Sequence, residues 1–141
     1  MRIVGRDHIF KILNEEYYES VFNIRKKYFL SRKPKEIGKG SNVYFIIKNK
    51  KDGNYYIVGE GKVSNLRPVQ EGEKDYEFAF EHNWKFVTEF EELRKFNKQI
   101  LARDIFSEII YQKLKLQSPS GIEIPPEEAN KVRERIKKEI I

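Results

Sequence analysis

A basic and aromatic stretch between residues 25 and 39 carries the clearest chemical signal in the sequence. Its cations are Arg25, Lys26, Lys27, Arg32, Lys33, Lys35 and Lys39. Tyr28 and Phe29 lie among them, and Glu36 is the one acid. Cations neutralise phosphates and release counterions, while aromatic faces stack on unpaired bases. The stretch therefore predicts a nucleic-acid-binding surface. As alternatives, the two aromatics alternate between core and surface of a strand, and the lysines belong to the charged surface of a heat-adapted protein.

The only tryptophan, Trp84, directly follows Asn83 in the sequence. An asparagine amide reads a base edge through hydrogen bonds, and an indole ring stacks on the base. A tryptophan also suits a core position, because its apolar area is large. Asn83 and Trp84 are therefore candidates for a base-binding site, with a core role for Trp84 as the alternative.

The sequence has few residues in patterns that would support catalysis or metal binding. The two histidines, His8 and His82, do not have a metal-ligand spacing, and the chain has no cysteine. Pairs of adjacent glutamates each open a candidate helix, where acids stabilise the helix dipole. The stretch Gly59-Glu60-Gly61 lacks the third glycine of a dinucleotide-binding loop, because residue 64 is a serine. The sequence therefore predicts no catalytic site, no metal site and no cofactor.

Length and composition favour one small domain. The chain has 141 residues, 39% of them hydrophobic and 35% charged, with a formal net charge of +6. This content is too apolar for a disordered chain and too charged for a membrane protein. The longest uncharged apolar run, Val43 to Ile47, is far shorter than the roughly 20 residues that a membrane span needs. Because the N-terminus has no secretory signal, the composition favours a cytoplasmic domain with no membrane partner.

The first half of the chain contains the elements that must position these residues. We expect a short strand at Arg2 to Val4, followed by a first helix that Asn14 caps and that ends near Arg25. Residues 26–42 then predict one short strand and a long loop, because the turn-forming residues are concentrated after position 30.

A β-hairpin is the clearest predicted element. The apolar runs 43–47 and 55–58 flank Asp52-Gly53, which supplies the positive φ angles of a tight turn. The second strand is expected to continue through Val63. Its glycines at 59 and 61 leave one face bare, which indicates strong curvature or the close approach of another backbone or a ligand.

The middle of the chain is ambiguous, and the C-terminal third is predicted to be helical. Residues 76–86 fit either an alternating strand or a helix to about His82 followed by a short strand. Thr88 and Glu91 form a capping box for a helix, whose buried stripe is Phe90, Leu93, Phe96 and Ile100.

Two further helices are expected after that stripe. Asp104 is expected to cap the first, residues 118–121 to interrupt the chain, and Pro125-Pro126 to open a last helix from Glu127 to Ile140. The last helix runs to Ile140-Ile141 without a cap, which indicates the N-terminal domain of a longer protein.

Taken in order, these features resemble a known family. The residues that carry the likeness are Gly38-Lys39-Gly40, the strand 43–47 and the stretch Ile57 to Val63 with its two glycines. They resemble the PUA-like superfamily, and within it the EVE and YTH-type domains. The resemblance implies an α+β fold, in which a small curved β-barrel is flanked by helices, with a helical C-terminal third. It implies a binding domain at residues 1–121 and, at 122–141, a C-terminal helix that starts a linker to a further domain.

The resemblance also implies a function. Domains of this type hold a base, often methylated, in an aromatic pocket beside a basic surface, and some are DNA-recognition domains of modification-dependent restriction enzymes. By position, Arg32, Lys33 and Lys35 would then contact phosphates, and the pocket wall would be drawn from Tyr28, Tyr44, Tyr56 and Trp84. DNA and RNA both stay open as the partner. The alternatives are a protein-interaction module that works through the C-terminal helix and a small hydrolase acting on RNA.

Overall fold

A mixed sheet forms the centre of the protein. The computed structural model describes residues 5–116 and 121–140, and within them the strands are β1 (His8–Lys11), β2 (Lys27–Leu30), β3 (Asn42–Lys48), β4 (Tyr55–Pro68), β5 (Phe86–Leu101) and β6 (Ile122–Glu123). The helices are α1 (Glu15–Glu19), which continues into a π-helical turn (Ser20–Ile24), α2 (Tyr76–Glu81), α3 (Ala102–Ile105), α4 (Glu108–Leu116) and α5 (Pro126–Ile140). The strand predicted at residues 2–4 and most of the interruption predicted at 118–121 lie outside the described residues.

The sheet curls into a half-barrel with helices on both sides. Its strand order is β2-β5-β4-β3-β1-β6, in which β1 and β3 are parallel and all other neighbours are antiparallel. The inner face buries Phe10 and Phe45 beneath α1. The outer face buries Ile9 and Tyr44 beneath α3, α4 and α5. The predicted α+β fold is confirmed, and the small curved β-barrel that was predicted with it is a half-barrel of six strands flanked by helices.

The predicted hairpin is confirmed, and its second strand extends five residues further, to Pro68. Gly53 in the turn has a φ of +74°, as the sequence predicts. On the face of β4 that Gly59 and Gly61 leave without side chains, neighbouring groups approach the backbone closely. A Cβ atom on Gly59 would lie 2.5 Å from Cζ of Phe22, and one on Gly61 would lie 2.8 Å from Cδ1 of Phe90. The approaching groups are thus mainly core aromatic rings.

The start of α1 also follows the sequence prediction. Oδ1 of Asn14 accepts a hydrogen bond from the backbone N–H of Tyr17 at 2.8 Å, which is the expected N-cap. The following π-helical turn ends with Arg25 as its C-terminal cap. Of the two predictions for residues 76–86, the helix followed by a strand is confirmed, because α2 precedes β5.

The helix predicted from Thr88 to Ile100 is wrong, because these residues belong to β5. Glu92 pairs with Lys62 and Phe90 pairs with Val63, so that Glu91 is the extra residue of a β-bulge. A bulge changes the face to which the following side chains point. Phe90 and the residue three positions later, Leu93, therefore both face Gly61. The apolar side chains on one face of this bulged strand therefore have the sequence spacing that is typical of a helix. The Thr88 hydroxyl is buried and caps nothing.

The cap predicted at Asp104 is also wrong. Asp104 lies inside the short helix α3, and α4 begins after Ser107, whose Oγ accepts a hydrogen bond from the N–H of Ile110 at 3.3 Å. The last predicted helix is confirmed as α5, which buries Val132 and Ile136 in the outer core. The domain boundary at residue 121 and the linker role of 122–141 stay predictions.

Gly59→Ala tests the close packing on the inner face of β4. The new methyl group would meet the Phe22 ring and also the Arg94 carbonyl oxygen, at 2.7 Å, which cannot rotate away. We expect the free energy of unfolding, measured in urea, to fall by about 1–3 kcal/mol. Gly38→Ala is the matched control, because its Cβ would meet only Gly5 Cα, at 3.9 Å. An equal loss in both variants would contradict the packing argument.

Candidate nucleic-acid interface

A cavity with aromatic walls lies between α1, its π-helical turn and α2. A larger cavity on the outer side of the sheet, described below as the outer cavity, has a volume of about 670 Å³. The cavity between α1 and α2 has a volume of about 420 Å³. We call it the aromatic cavity. Its lining consists of the aromatic residues Tyr17, Phe78, His82 and Trp84, the polar or charged residues Asn14, Glu16, Ser20, Arg25 and Glu81, and the apolar residues Leu13 and Ile24. Four aromatic rings line this cavity, and aromatic rings are the groups on which a nucleobase stacks.

The aromatic walls are held by ring-to-ring contacts. The His82 and Trp84 rings are stacked, with centroids 4.4 Å apart and an interplanar angle of 10°. The Trp84 ring also lies 5.0 Å from Tyr17 and 5.7 Å from Phe78, centroid to centroid. Nδ1 of His82 is 2.9 Å from the Phe78 carbonyl oxygen, which fixes the imidazole against α2. The walls therefore form one packed cluster instead of separate surface side chains.

The hydroxyl of Tyr17 joins this cluster to the edge of the sheet. It donates a hydrogen bond to the Phe29 carbonyl oxygen at 3.1 Å and accepts one from the Phe29 N–H at 2.8 Å. Burial raises the pKa of Tyr17, so the hydroxyl keeps its proton and can play both roles. Phe29 lies on β2, which pairs with β5 on one side and is open on the other. Tyr17 therefore satisfies the N–H and carbonyl groups that Phe29 presents at this open edge.

Arg25 supplies positive charge at the wall of the aromatic cavity. The centre of its guanidinium group lies 3.5 Å from the Phe78 ring centroid, and one terminal nitrogen donates to Ser20 Oγ at 3.0 Å. Its Nε is 3.3 Å from an oxygen of Asp75, yet this buried atom makes no hydrogen bond within the described residues. The cation is therefore positioned by the Phe78 ring, Ser20 and Asp75 together, and its second terminal nitrogen forms no hydrogen bond with a described residue.

The loop that leads into α2 is fixed by a second arginine. The Arg67 guanidinium binds Glu73 through two hydrogen bonds of 2.7 Å and binds Glu89 at 3.1 Å. The hydrogen bonds from Arg67 lower the pKa of Glu73 to about 2. A short distance along the loop, Asp75 forms an ion pair with Lys27 at 3.2 Å. These charged contacts attach the start of α2, and hence Phe78, to β4, β5 and β2.

The structure divides the predicted phosphate-binding residues into two groups. Arg25 and Lys27 are half-buried and share Asp75. The others are exposed, and no described residue forms an ion pair with them; they are Lys26, Arg32, Lys33, Lys35 and Lys39. Loop 31–41 carries all of these cations except Lys26. His8 anchors the loop, because its Nε2 lies 2.9 Å from the Lys35 carbonyl oxygen. It begins next to the aromatic cavity, because the carbonyl of Leu30 accepts a hydrogen bond from the N–H of Lys85.

The predicted base-pocket residues do not lie together. Trp84 is in the wall of the aromatic cavity, and Asn83 precedes it in an exposed left-handed turn with a φ of +58°. Tyr28 is buried in the inner core, stacked on Phe10. Tyr44 is buried under the outer face, and Tyr56 lies beside the hairpin turn, where it hydrogen-bonds to Asp52.

Sequence reasoning missed three members of the aromatic cavity. Phe78 and His82 are four residues apart on α2 and its cap, so the helical prediction for this segment placed them on one face. Tyr17 was assigned only to the first helix, and no local signal connects it with residues 78–84. The polar member Asn14 was found only as a helix cap.

The outer cavity, next to α5, has a different character. Its two arginines are engaged by acids: Arg94 forms an ion pair with Glu60, and Arg133 binds Asp7 through two hydrogen bonds of 3.0 Å. Tyr44 lines this cavity, but only 1% of the residue is exposed. The outer cavity therefore offers no exposed aromatic face to a base.

Two further searches were confined to the described part of the chain. Residues 5–116 and 121–140 contain no group of three or more histidines or acids placed to hold a metal ion. Within the same ranges, none of the helices has the length and apolar character required to cross a membrane.

The arrangement of these elements is shared with known domains. Two solved structures are similar. The N-terminal domain of Thermococcus gammatolerans McrB, bound to m5C DNA, has 16% identity and a TM-score of 0.58, and the match covers 97% of this chain and 100% of that one. The YTH domain of Zygosaccharomyces rouxii MRB1, in complex with N6-methyladenosine RNA, has 14% identity and a TM-score of 0.50, covering 97% and 91%. No family model and no curated protein sequence matches the chain. The predicted fold resemblance is confirmed.

Tyr17→Phe tests the attachment of the aromatic cavity to β2. The ring stays, but the N–H and carbonyl of Phe29 lose their buried partner, so we expect the free energy of unfolding to fall by about 1–3 kcal/mol. Tyr18→Phe is the matched control on the same helix, because no described residue forms a hydrogen bond with the Tyr18 hydroxyl. A stability loss that is no greater for Tyr17→Phe than for Tyr18→Phe would rule out the proposed attachment.

Proposed function

We propose that this chain is a nucleic-acid-binding domain that holds one modified base in the aromatic cavity and performs no chemistry on it. The observation that carries the proposal is the aromatic cavity itself, with Trp84 and Phe78 in its wall and Arg25 beside them. Its volume of about 420 Å³ falls in the range of pockets that take small organic ligands. Loop 31–41, which carries exposed cations, begins next to the cavity. A polyanion that extended past the cavity would therefore meet these cations.

The energetics favour a base that has left its stack. Extruding a base costs a few kcal/mol, and each aromatic stacking contact returns about 1–3 kcal/mol. The base edge could be bound by the amide nitrogen of Asn14, which takes no part in the helix cap, and by the terminal nitrogen of Arg25 that does not donate to Ser20. Stacking gives affinity for any base, and these polar groups give selectivity among bases.

We infer methylated DNA as the first candidate ligand. The similar domain from Thermococcus gammatolerans is bound to m5C DNA, and it matches this chain with the higher TM-score of the two. Methylated RNA is the second candidate, favoured by the similar YTH domain in complex with N6-methyladenosine RNA. Both neighbours are binding domains, which supports binding without catalysis. A role as the recognition domain of a modification-dependent restriction system is part of the first candidate.

Trp84→Ala is the direct test of the aromatic cavity as the base site. We expect affinity for an oligonucleotide carrying 5-methylcytosine or N6-methyladenine to fall roughly ten- to a hundredfold, because one stacking contact of about 1–3 kcal/mol is lost. Filter binding against methylated and unmethylated DNA and RNA measures the loss and identifies the ligand. Trp84→Phe keeps an aromatic ring and should retain most of the affinity.

Tyr56→Ala is the matched control for the aromatic cavity. Tyr56 pairs with Leu101 at one end of β5, whereas Trp84 precedes the other end. Affinity should be unchanged in this variant. If Tyr56→Ala weakens binding and Trp84→Ala, still folded by circular dichroism, does not, the base site lies elsewhere and the proposal fails.

Arg32→Ala and Lys33→Ala test the loop as the phosphate contact. Each should weaken binding to all sequences alike and reduce the slope of log affinity against log salt by about one, because one counterion fewer is released. Lys51→Ala is the control, since the hairpin is separated from loop 31–41 by the seven residues of β3, roughly 20 Å. A salt slope that Arg32→Ala and Lys33→Ala leave at the wild-type value would exclude the loop from the interface.

A further inference from the structure

A further cavity lies on the outer side of the sheet, at the end that carries the β3–β4 hairpin. We call it the basic cavity, and its volume is about 370 Å³. Its cations come from three separate elements, because Lys48 ends β3, Arg103 lies on α3 and Lys115 lies on α4. Its other lining residues are Gly53, Asn54, Tyr55 and Tyr111. The lining therefore combines cations with neutral groups and contains no acid.

Acids nearby do not neutralise these cations. None of the three forms an ion pair or a side-chain hydrogen bond with a described residue. Residues 48–55 and 102–116 contain six cations and three acids, and the acids, none of which lines the cavity, are Asp52, Asp104 and Glu108. The first of these accepts a hydrogen bond from the Tyr56 hydroxyl at 2.6 Å, and the last accepts one from the Gln112 amide at 2.8 Å. The surroundings of the basic cavity therefore favour an anion.

Aromatic rings hold cations in place at the basic cavity. The centre of the Arg103 guanidinium lies 4.6 Å from the Tyr111 ring centroid, and Nζ of Lys48 lies 6.0 Å from the Tyr55 ring centroid. The two rings meet edge to face, with centroids 6.3 Å apart. Burial, and after it the charge of Lys48, lowers the pKa of Lys11, whose Nζ also lies over Tyr55. The cations are thus positioned before a ligand binds, and an anion beside them would reduce their mutual repulsion.

Tyr111 adds a hydroxyl group that lacks a partner. Only 2% of the residue is exposed, yet no described residue forms a hydrogen bond with its hydroxyl. Buried polar groups nearly always have a hydrogen-bond partner in native structures. Because Tyr111 lines the basic cavity, an acceptor oxygen of a ligand there would supply the partner.

We propose that the basic cavity binds a compact phosphate group that carries two or more negative charges, such as pyrophosphate or the terminal phosphates of a nucleotide. A guanidinium, two ammonium groups and a hydroxyl are all donors, and phosphate oxygens are acceptors that fit them. Cations that converge on one cavity suit a concentrated charge. A nucleic-acid backbone instead carries one charge per phosphate and is neutralised by cations spread along a surface.

The basic cavity is separate from the aromatic cavity, so the inference does not depend on the proposed function. β4 begins at Tyr55 in the basic cavity, and its last residue, Pro68, pairs with Phe86, two residues after Trp84. The fourteen residues of β4 therefore lie between the two cavities. The helices α3 and α4 also cover the outer face of the sheet, whereas α1 covers the inner face.

Titration calorimetry with inorganic pyrophosphate, in buffer without divalent metal ions, tests the site. Arg103→Ala and Lys115→Ala should each weaken pyrophosphate binding at least about tenfold, because a charge-assisted hydrogen bond is lost. Tyr111→Phe should weaken it by about three- to tenfold although the charge is unchanged. Lys113→Ala is the matched control, because it removes the same charge from the same helix without altering the lining. Its affinity should stay within about twofold of the wild type.

Three further probes identify the source of the phosphate: orthophosphate, adenosine diphosphate, and an unmodified oligonucleotide with or without a 5′-phosphate. Tighter binding of the diphosphate nucleotide than of pyrophosphate would assign the site to a nucleotide, and the reverse order would assign it to an inorganic phosphate. A gain from the 5′-phosphate that Tyr111→Phe removes would assign it to the end of a nucleic acid. Each of these results supports a phosphate site.

Other results would overturn the inference. No heat of binding with any of the probes would show that the basic cavity takes no phosphate. Equal losses for Lys113→Ala and Lys115→Ala, with none for Tyr111→Phe, would leave only a general attraction to a basic surface. A loss of pyrophosphate affinity in Trp84→Ala would place the phosphate at the aromatic cavity. Because Trp84→Ala should otherwise leave pyrophosphate binding unchanged, failure of the proposed function is distinguishable from failure of this inference.

Discussion

The hydrogen bonds between the Tyr17 hydroxyl and the backbone of Phe29 determine how the candidate site is built. β2 is an edge strand, and an open strand edge attracts further strands unless its backbone groups are satisfied. Here a side chain from α1 satisfies them, and in doing so it places an aromatic ring against Trp84. One pair of hydrogen bonds thus satisfies the Phe29 backbone at the sheet edge and positions a wall of the aromatic cavity.

Local signals made much of this fold predictable. The Asn14 cap, the turn at Gly53 and the helix opened by Pro125-Pro126 all depend on contacts within a few residues of the chain. The glycines at 59 and 61 signalled close packing before the partners were known, because a missing Cβ is informative by itself. The resemblance to EVE and YTH-type domains was based on the order of these same elements, and it was sufficient to give the fold.

Longer-range information was missing where prediction failed. β5 was assigned as a helix because bulges place Phe90 and Leu93 on one face at a helical spacing, and a bulge is defined by its partner strand. The candidate site is similar: Tyr17 is more than sixty residues from Trp84, and no periodicity joins them. The basic stretch was found from composition, but only the fold determines that Asp75 engages Arg25 and Lys27 and leaves the cations of loop 31–41 exposed.

In the proposed function, that division of charge would separate affinity from selectivity. Exposed cations act on phosphates of any sequence, so loop 31–41 would then govern the strength of binding and its salt dependence. Arg25 is paired with Asp75 and packed on Phe78, so it contributes less to the long-range field and more to the shape and donor pattern of the aromatic cavity. Changes in the loop can then alter affinity without altering which base is accepted, and changes in the cavity wall can do the reverse. The two properties would be coupled through β2, which connects Arg25 to the loop and is itself held by Tyr17.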